Sequence, residues 1–143
     1  MADVQQMTRD FIDAFNSHDE RRIRENYADN VVYEAPGGIR VEGTDAATED
    51  SMAFVRAFPD VRLKLTNVVA GDDSIAFEID FDGTHQAALE GPGGAIPATN
   101  RRVTGKGAEF IRIQDGKVVE ERLYYDQVDF LTQLGVMPDA GTA

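Results

Sequence analysis

Apolar and polar positions change period along this chain, and the changes mark its elements. Val4, Met7, Phe11, Ile12 and Phe15 recur at helical spacing, which predicts an amphipathic helix over 4–16 with Asp3 as its N-cap. Asn16-Ser17-His18-Asp19 breaks it, and a short second helix over 20–27 carries Ile23 and Tyr27 on one side. A strand at 30–34, a Pro36-Gly37-Gly38 turn and a brief return at 39–41 follow. A third helix, capped by Thr44, spans 45–58 with Ala47, Ser51, Val55 and Phe58 on one face, and Pro59 stops it. From there the period is two. Strands are predicted over 61–68, from Ser74 through Phe81 toward His85, over 102–114 and over 117–125. Gly91 to Gly94, with Pro97, is an irregular loop, and Asp115-Gly116 is a two-residue hairpin turn. A last helix over 128–134 ends at Gly135, and 138–143 is a loose tail.

Helices followed by a run of long strands predict an α+β fold. The natural packing is a bent antiparallel sheet wrapped around three N-terminal helices. The interior of such a cone is a pocket. A length of 143 residues fits one domain, 1–143.

Composition removes several chemistries. There is no cysteine, which excludes disulfides, thiolate metal sites and a cysteine nucleophile. The two histidines do not cluster, so no metal site is expected. No G-x-G-x-x-G or P-loop occurs. The net charge of −12 repels phosphate backbones and anionic lipids, so neither nucleic acid nor membrane is an expected partner. No apolar run resembles a signal peptide or could span a bilayer, which makes a cytoplasmic location the default expectation.

Two titratable residues stand out as candidate proton-transfer groups. If the pleat continues through Gly83, His85 shares the apolar face of Ile75, Phe77, Ile79 and Phe81. Asp126 ends the last strand and fits two roles, an acid/base in the pocket or the N-cap of the final helix. A two-residue turn sets Gln114 opposite Lys117, and hence Glu109 opposite Arg122. One hairpin face then holds Ile111, Ile113, Val118, Glu120, Tyr124 and Asp126; the other holds Phe110, Arg112, Val119, Glu121, Leu123 and Tyr125. Both are mixed, and the sequence leaves open which is inside. Tyr33 alternates with Val31 and could donate a hydrogen bond to a carbonyl. Tyr27, Phe15, Phe54 and Phe58 read as core or pocket wall, their apolar mass suits a hydrophobic ligand, and Tyr124 is a further candidate substrate contact.

The order of elements resembles the nuclear transport factor 2-like superfamily, and within it the SnoaL-like polyketide cyclase family. Four stretches carry the resemblance: F11-I-D-A-F-N-S-H-D19; V41-E-G-T44; G83-T-H85 with G94-A-I-P97 and R102-V-T-G105; and D115-G-K-V-V-E120 through L131-T-Q-L-G135. It implies a cone-shaped pocket for a hydrophobic small molecule, no cofactor, no metal, and a homodimer or higher homo-oligomer. It implies polyketide-type cyclisation by intramolecular aldol condensation, or a related isomerisation. Asp126 would be the acid/base and His85 its partner in the pocket. The loop reads G94-A-I-P-A-T-N-R-R102 where many relatives read G-I-P-P-T-G-K/R, which bears on the substrate more than on the fold. The Arg-x-Asp element of the epoxide-hydrolase branch is absent. A non-catalytic small-molecule-binding or accessory domain of the same fold is the alternative.

Overall fold

A computed structural model describes residues 3–91 and 93–137. The expectations for Pro92 and for a loose tail at 138–143 lie outside the described residues. Four helices and six strands follow in the order α1 Val4–Asn16, α2 Glu20–Arg24, β1 Tyr27–Ala35, β2 Ile39–Glu42, α3 Thr44–Ala57, β3 Arg62–Ala70, β4 Ser74–Thr84, β5 Arg102–Gln114, β6 Lys117–Tyr125 and α4 Gln127–Gln133. The strands form one sheet in the order β2-β1-β6-β5-β4-β3. All neighbours are antiparallel except β1 and β6, which run parallel. The fold is α+β, with α1 packed on β3 and β4 and α3 on β1 and β2. Among the described residues no helix is long and apolar enough to cross a membrane.

Asp3 caps α1 as its side chain accepts from Gln5 N and Gln6 N. The second helix is shorter than its pattern. The Val118 N–H donates to Asn26 O, and Tyr27 pairs with Val118 in the sheet. A five-residue helix has too little cooperativity to hold Tyr27 against a strand partner. The third helix is capped by Gly43 at φ 92°, not by Thr44, which is its first residue. The Thr44 hydroxyl instead donates to Ala28 O at 3.0 Å and ties the helix to β1.

The hairpin corrects the predicted register. Asp115 and Gly116 both take positive φ, as a tight mirror-image turn requires, and Gln114 does oppose Lys117. Ile113 opposes Val118, but Arg112 then opposes Glu120, so Val119 is an extra residue in β6. Past this bulge Glu109 faces Leu123, and Arg122 faces Phe110. The side chains of β6 exchange sides as a result: Glu121, Leu123 and Tyr125 turn inward, while Glu120, Arg122 and Tyr124 turn outward. The expected Glu109–Arg122 pair does not form. Arg122 instead meets Glu120, which also pairs with Arg112.

Two apolar clusters fill the molecule. One joins Ile12, Val31, Ile75, Phe77, Ile79 and Ile111; the other joins Val55, Phe58, Val61, Val103 and Leu134 at the far end of the sheet.

Candidate functional site

Between the helices and the concave side of the sheet lies a cavity of about 430 Å³, within the range of small-molecule sites. Phe11 and Phe15 of α1, Phe54 of α3, Ile79 and Phe81 of β4 and Phe130 of α4 make its walls. Its buried end is polar. Tyr27 and Tyr33 come from β1, Asp50 and Ser51 from α3, Glu109 from β5 and Glu121 from β6. Tyr27, Tyr33, Glu109 and Glu121 are each buried.

Glu109 and Glu121 are diagonal neighbours on one face, because Glu109 opposes Leu123 and Ile111 opposes Glu121. The Tyr27 hydroxyl donates to Glu121 Oε1 at 2.7 Å. Burial, the charge of Glu121 and a carboxyl–carboxyl hydrogen bond to it push Glu109 well above the ordinary carboxylate range. Its Oε1 is buried and receives no hydrogen bond from a described residue. Two adjacent buried carboxylates do not both ionise, and Glu109 keeps its proton. Asp50 is pushed up to about 6 by burial, with the Tyr33 hydroxyl drawing it part of the way back and Glu121 and Glu49 adding to the rise. Both tyrosines stay neutral hydroxyls: burial raises them, Tyr27 next by the charge of Glu121 and Tyr33 by that of Asp50.

Asp126 and His85 stand apart. Asp126 is exposed at the cavity rim and is the N-cap of α4, its Oδ1 accepting from Asp129 N at 2.9 Å. His85 keeps the apolar parity of Ile75, Phe77 and Ile79 and is fully buried, so the pleat does run through Gly83. Yet its end of the sheet is packed solid. His85 stacks on Phe58 at 5.2 Å, and Phe58 stacks on Phe54 at 4.8 Å; of these rings only Phe54 borders the cavity. Thr99 N–H donates to His85 Nδ1 at 3.2 Å, and Thr99 Oγ1 lies 3.0 Å from the same atom, which fastens the loop after β4. Burial lowers the His85 pKa, and the ring is neutral at neutral pH.

Of the expected wall residues, Phe15, Tyr27, Tyr33 and Phe54 line the cavity. Phe58 sits behind Phe54. Tyr124 is half exposed on the outer face beside Phe110, because the Val119 bulge turns Tyr125 inward in its place.

The residues that sequence reasoning missed are Asp50, Glu109 and Glu121 as a group. Their signals were weak but present. Asp50 sits one turn from Phe54 on α3, and Glu109 shares the parity of Ile111 and Ile113.

A helix-lined, bent-sheet cone with an apolar cavity and an acidic end defines a small α+β class of pocket proteins. The chain belongs to the SnoaL-like polyketide cyclase family, whose pattern matches residues 2–134. Among solved structures, AclR of Streptomyces galilaeus, provisionally assigned as a hydroxylase, is 27% identical over 99% of this chain and 91% of its own, with a TM-score of 0.79. IdmH of Streptomyces antibioticus, provisionally assigned as a polyketide cyclase, is 26% identical over 94% of this chain and 100% of its own, with a TM-score of 0.76. A SnoaL-like protein from Jannaschia sp. CCS1 has a TM-score of 0.81 at 18% identity, over 94% of this chain and 92% of its own, a likeness of fold. No protein of curated function matches the sequence.

Proposed function

We propose that the protein is a cofactor-independent acid/base enzyme acting on a hydrophobic carbonyl compound, by polyketide-type aldol cyclisation or a related isomerisation. The observation that carries this reading is the convergence of Asp50, Glu109 and Glu121 with two neutral tyrosine hydroxyls at the buried end of an apolar cavity. Asp50 is the base. With a pKa of about 6 it is ionised at neutral pH yet more basic than a surface carboxylate. The proton retained by Glu109 is the acid. Environments that push carboxyl groups to opposite protonation states divide acid and base roles in this way.

In the aldol step Asp50 takes a proton from the carbon next to one carbonyl, and the C–H bond is lost. The new C–C bond forms as that carbon attacks a second carbonyl, whose oxygen takes the proton from Glu109. Asp126 is assigned to the rim and the helix cap, and His85 to packing and loop attachment.

Exchange of α-protons for deuterium in 2-tetralone, followed by NMR in D₂O, tests the assignment without the natural substrate. The protein should accelerate exchange over buffer. Asp50→Asn should lower the acceleration by about 100-fold or more, and Glu109→Gln by about 10-fold or more, in keeping with the usual contribution of general acid/base groups. Wild-type exchange rates in both variants would show that the proton chemistry lies elsewhere.

A further inference from the structure

We propose that the cavity takes a hydrophobic compound bearing a protonated amine, with its ammonium group at the Glu109–Glu121 pair and its apolar frame lying past Asp50 and Tyr33 toward Phe54. The inference rests on the cavity being the working site, as proposed above, and not on turnover.

The first ground is charge. Acids run from the rim, Asp126 and Asp129, to the buried end, Asp50, Glu109 and Glu121. Lys106 is the one basic residue among the described residues that line the cavity, and its ammonium group lies outside, 3.0 Å from Asp80 on an 85% exposed side chain. Buried carboxyl groups are ordinarily matched by a cation, and here none of the described residues supplies one. The groups facing Asp50 are Tyr33 from β1 and Glu121 and Tyr125 from β6, with Glu49 beside it on α3 and Glu109 of β5 lining the same cavity. Each is neutral or acidic.

The second ground is an unfilled bond. Glu109 is 5% exposed and lines the cavity, yet its Oε1 has no hydrogen-bond partner among the described residues. An ammonium N–H supplies a donor and a counter-charge together. A metal ion is the poorer fit, because among the described residues no three His, Asp or Glu side chains group closely enough to hold one. The walls are aromatic and aliphatic, which suits an organic cation. The net charge of −12 and the acidic rim draw such a ligand in.

Three probes of one shape decide it: 2-naphthylmethylamine, 2-naphthylmethanol and 2-naphthoate, titrated by calorimetry at pH 7.5. The amine should bind at least about tenfold tighter than the alcohol, and the carboxylate at least about tenfold weaker than the alcohol. Asp50→Asn and Glu109→Gln should each weaken the amine about tenfold while leaving the alcohol within about twofold, which also reports that the variants are folded. The alcohol binding as tightly as the amine, or amine affinity unmoved by both substitutions, overturns the proposal. Should the variants not fold, unmodified protein decides at pH 6, in buffers of different ionisation enthalpy. Amine binding should expel protons from the carboxyl groups and alcohol binding should not; equal release for both overturns the proposal. Exchange of 2-tetralone without a preference for the amine sinks the ammonium site alone. A preference for the amine without exchange sinks the catalytic reading alone.

Discussion

Asp50 and Glu109 hold their protons more tightly than surface acids do, and this makes them costly as well as useful. A carboxyl whose folded pKa lies above its unfolded value favours the folded state most at low pH. That advantage is lost as pH rises through the folded pKa, which for Asp50 is about 6. Asp50→Asn should therefore match the wild type in stability near pH 4 and exceed it at pH 8, by at most about 3 kcal/mol. Denaturant unfolding at the two pH values measures it; an Asp50→Asn protein no more stable than wild type at pH 8 would show that Asp50 is not desolvated. Asp126 makes the contrasting case. It is exposed and caps α4 through Asp129 N, so its two candidate roles separate by substitution. Asp126→Ala should lose about 1 kcal/mol, while Asp126→Asn keeps an acceptor and holds within about 0.5 kcal/mol. If Asp126→Asn stays stable yet loses α-proton exchange as fully as Asp50→Asn, the rim carboxylate is the base after all.

At the scale of elements, the β5–β6 hairpin decides which side chains meet the ligand. Its turn was legible, because Asp-Gly between two alternating runs has few other conformations. Its register was not. Val118 and Val119 are both buried, and neighbouring valines carry no local mark of a bulge. Strict alternation from the turn therefore placed Glu120, Tyr124 and Asp126 together, whereas the bulge presents Glu121 and Tyr125. Deleting Val119 should remove the bulge while leaving Glu120 opposite Arg112 and Glu121 opposite Ile111, so that Glu121 and Tyr125 stay inward. Such a variant should fold less stably, by about 1.5–3 kcal/mol, since the buried Val119 side chain is lost while Arg122 stays outside. It should keep the preference for the amine probe. A folded Val119 deletion that loses the amine preference would mean that β6 slips by one residue and turns Glu121 outward.

For the whole molecule, the order of helices and strands followed from periodicity, and the family from motifs spread across the chain. Less legible was how the concave side of the sheet divides. His85 obeys its predicted parity, but parity tells which side a residue faces and not whether that side is open or filled at its position. Bulky Phe58, set against Gly83, fills it there; a Cβ on Gly83 would come within 3.2 Å of the Phe58 ring. The acids of the cavity were hidden for a related reason. Asp50, Glu109 and Glu121 come from three elements far apart in sequence, and only the folded sheet assembles them.

The aromatic stack Phe54–Phe58–His85 joins these two ends of the cone. It makes a division of labour. The filled end, fastened by Thr99 and the second apolar cluster, acts as ballast for an end that carries unmatched acids at a standing energetic loss. Variation in the filled end would then set how many departures from ordinary packing the open end can tolerate, without any residue there touching a ligand.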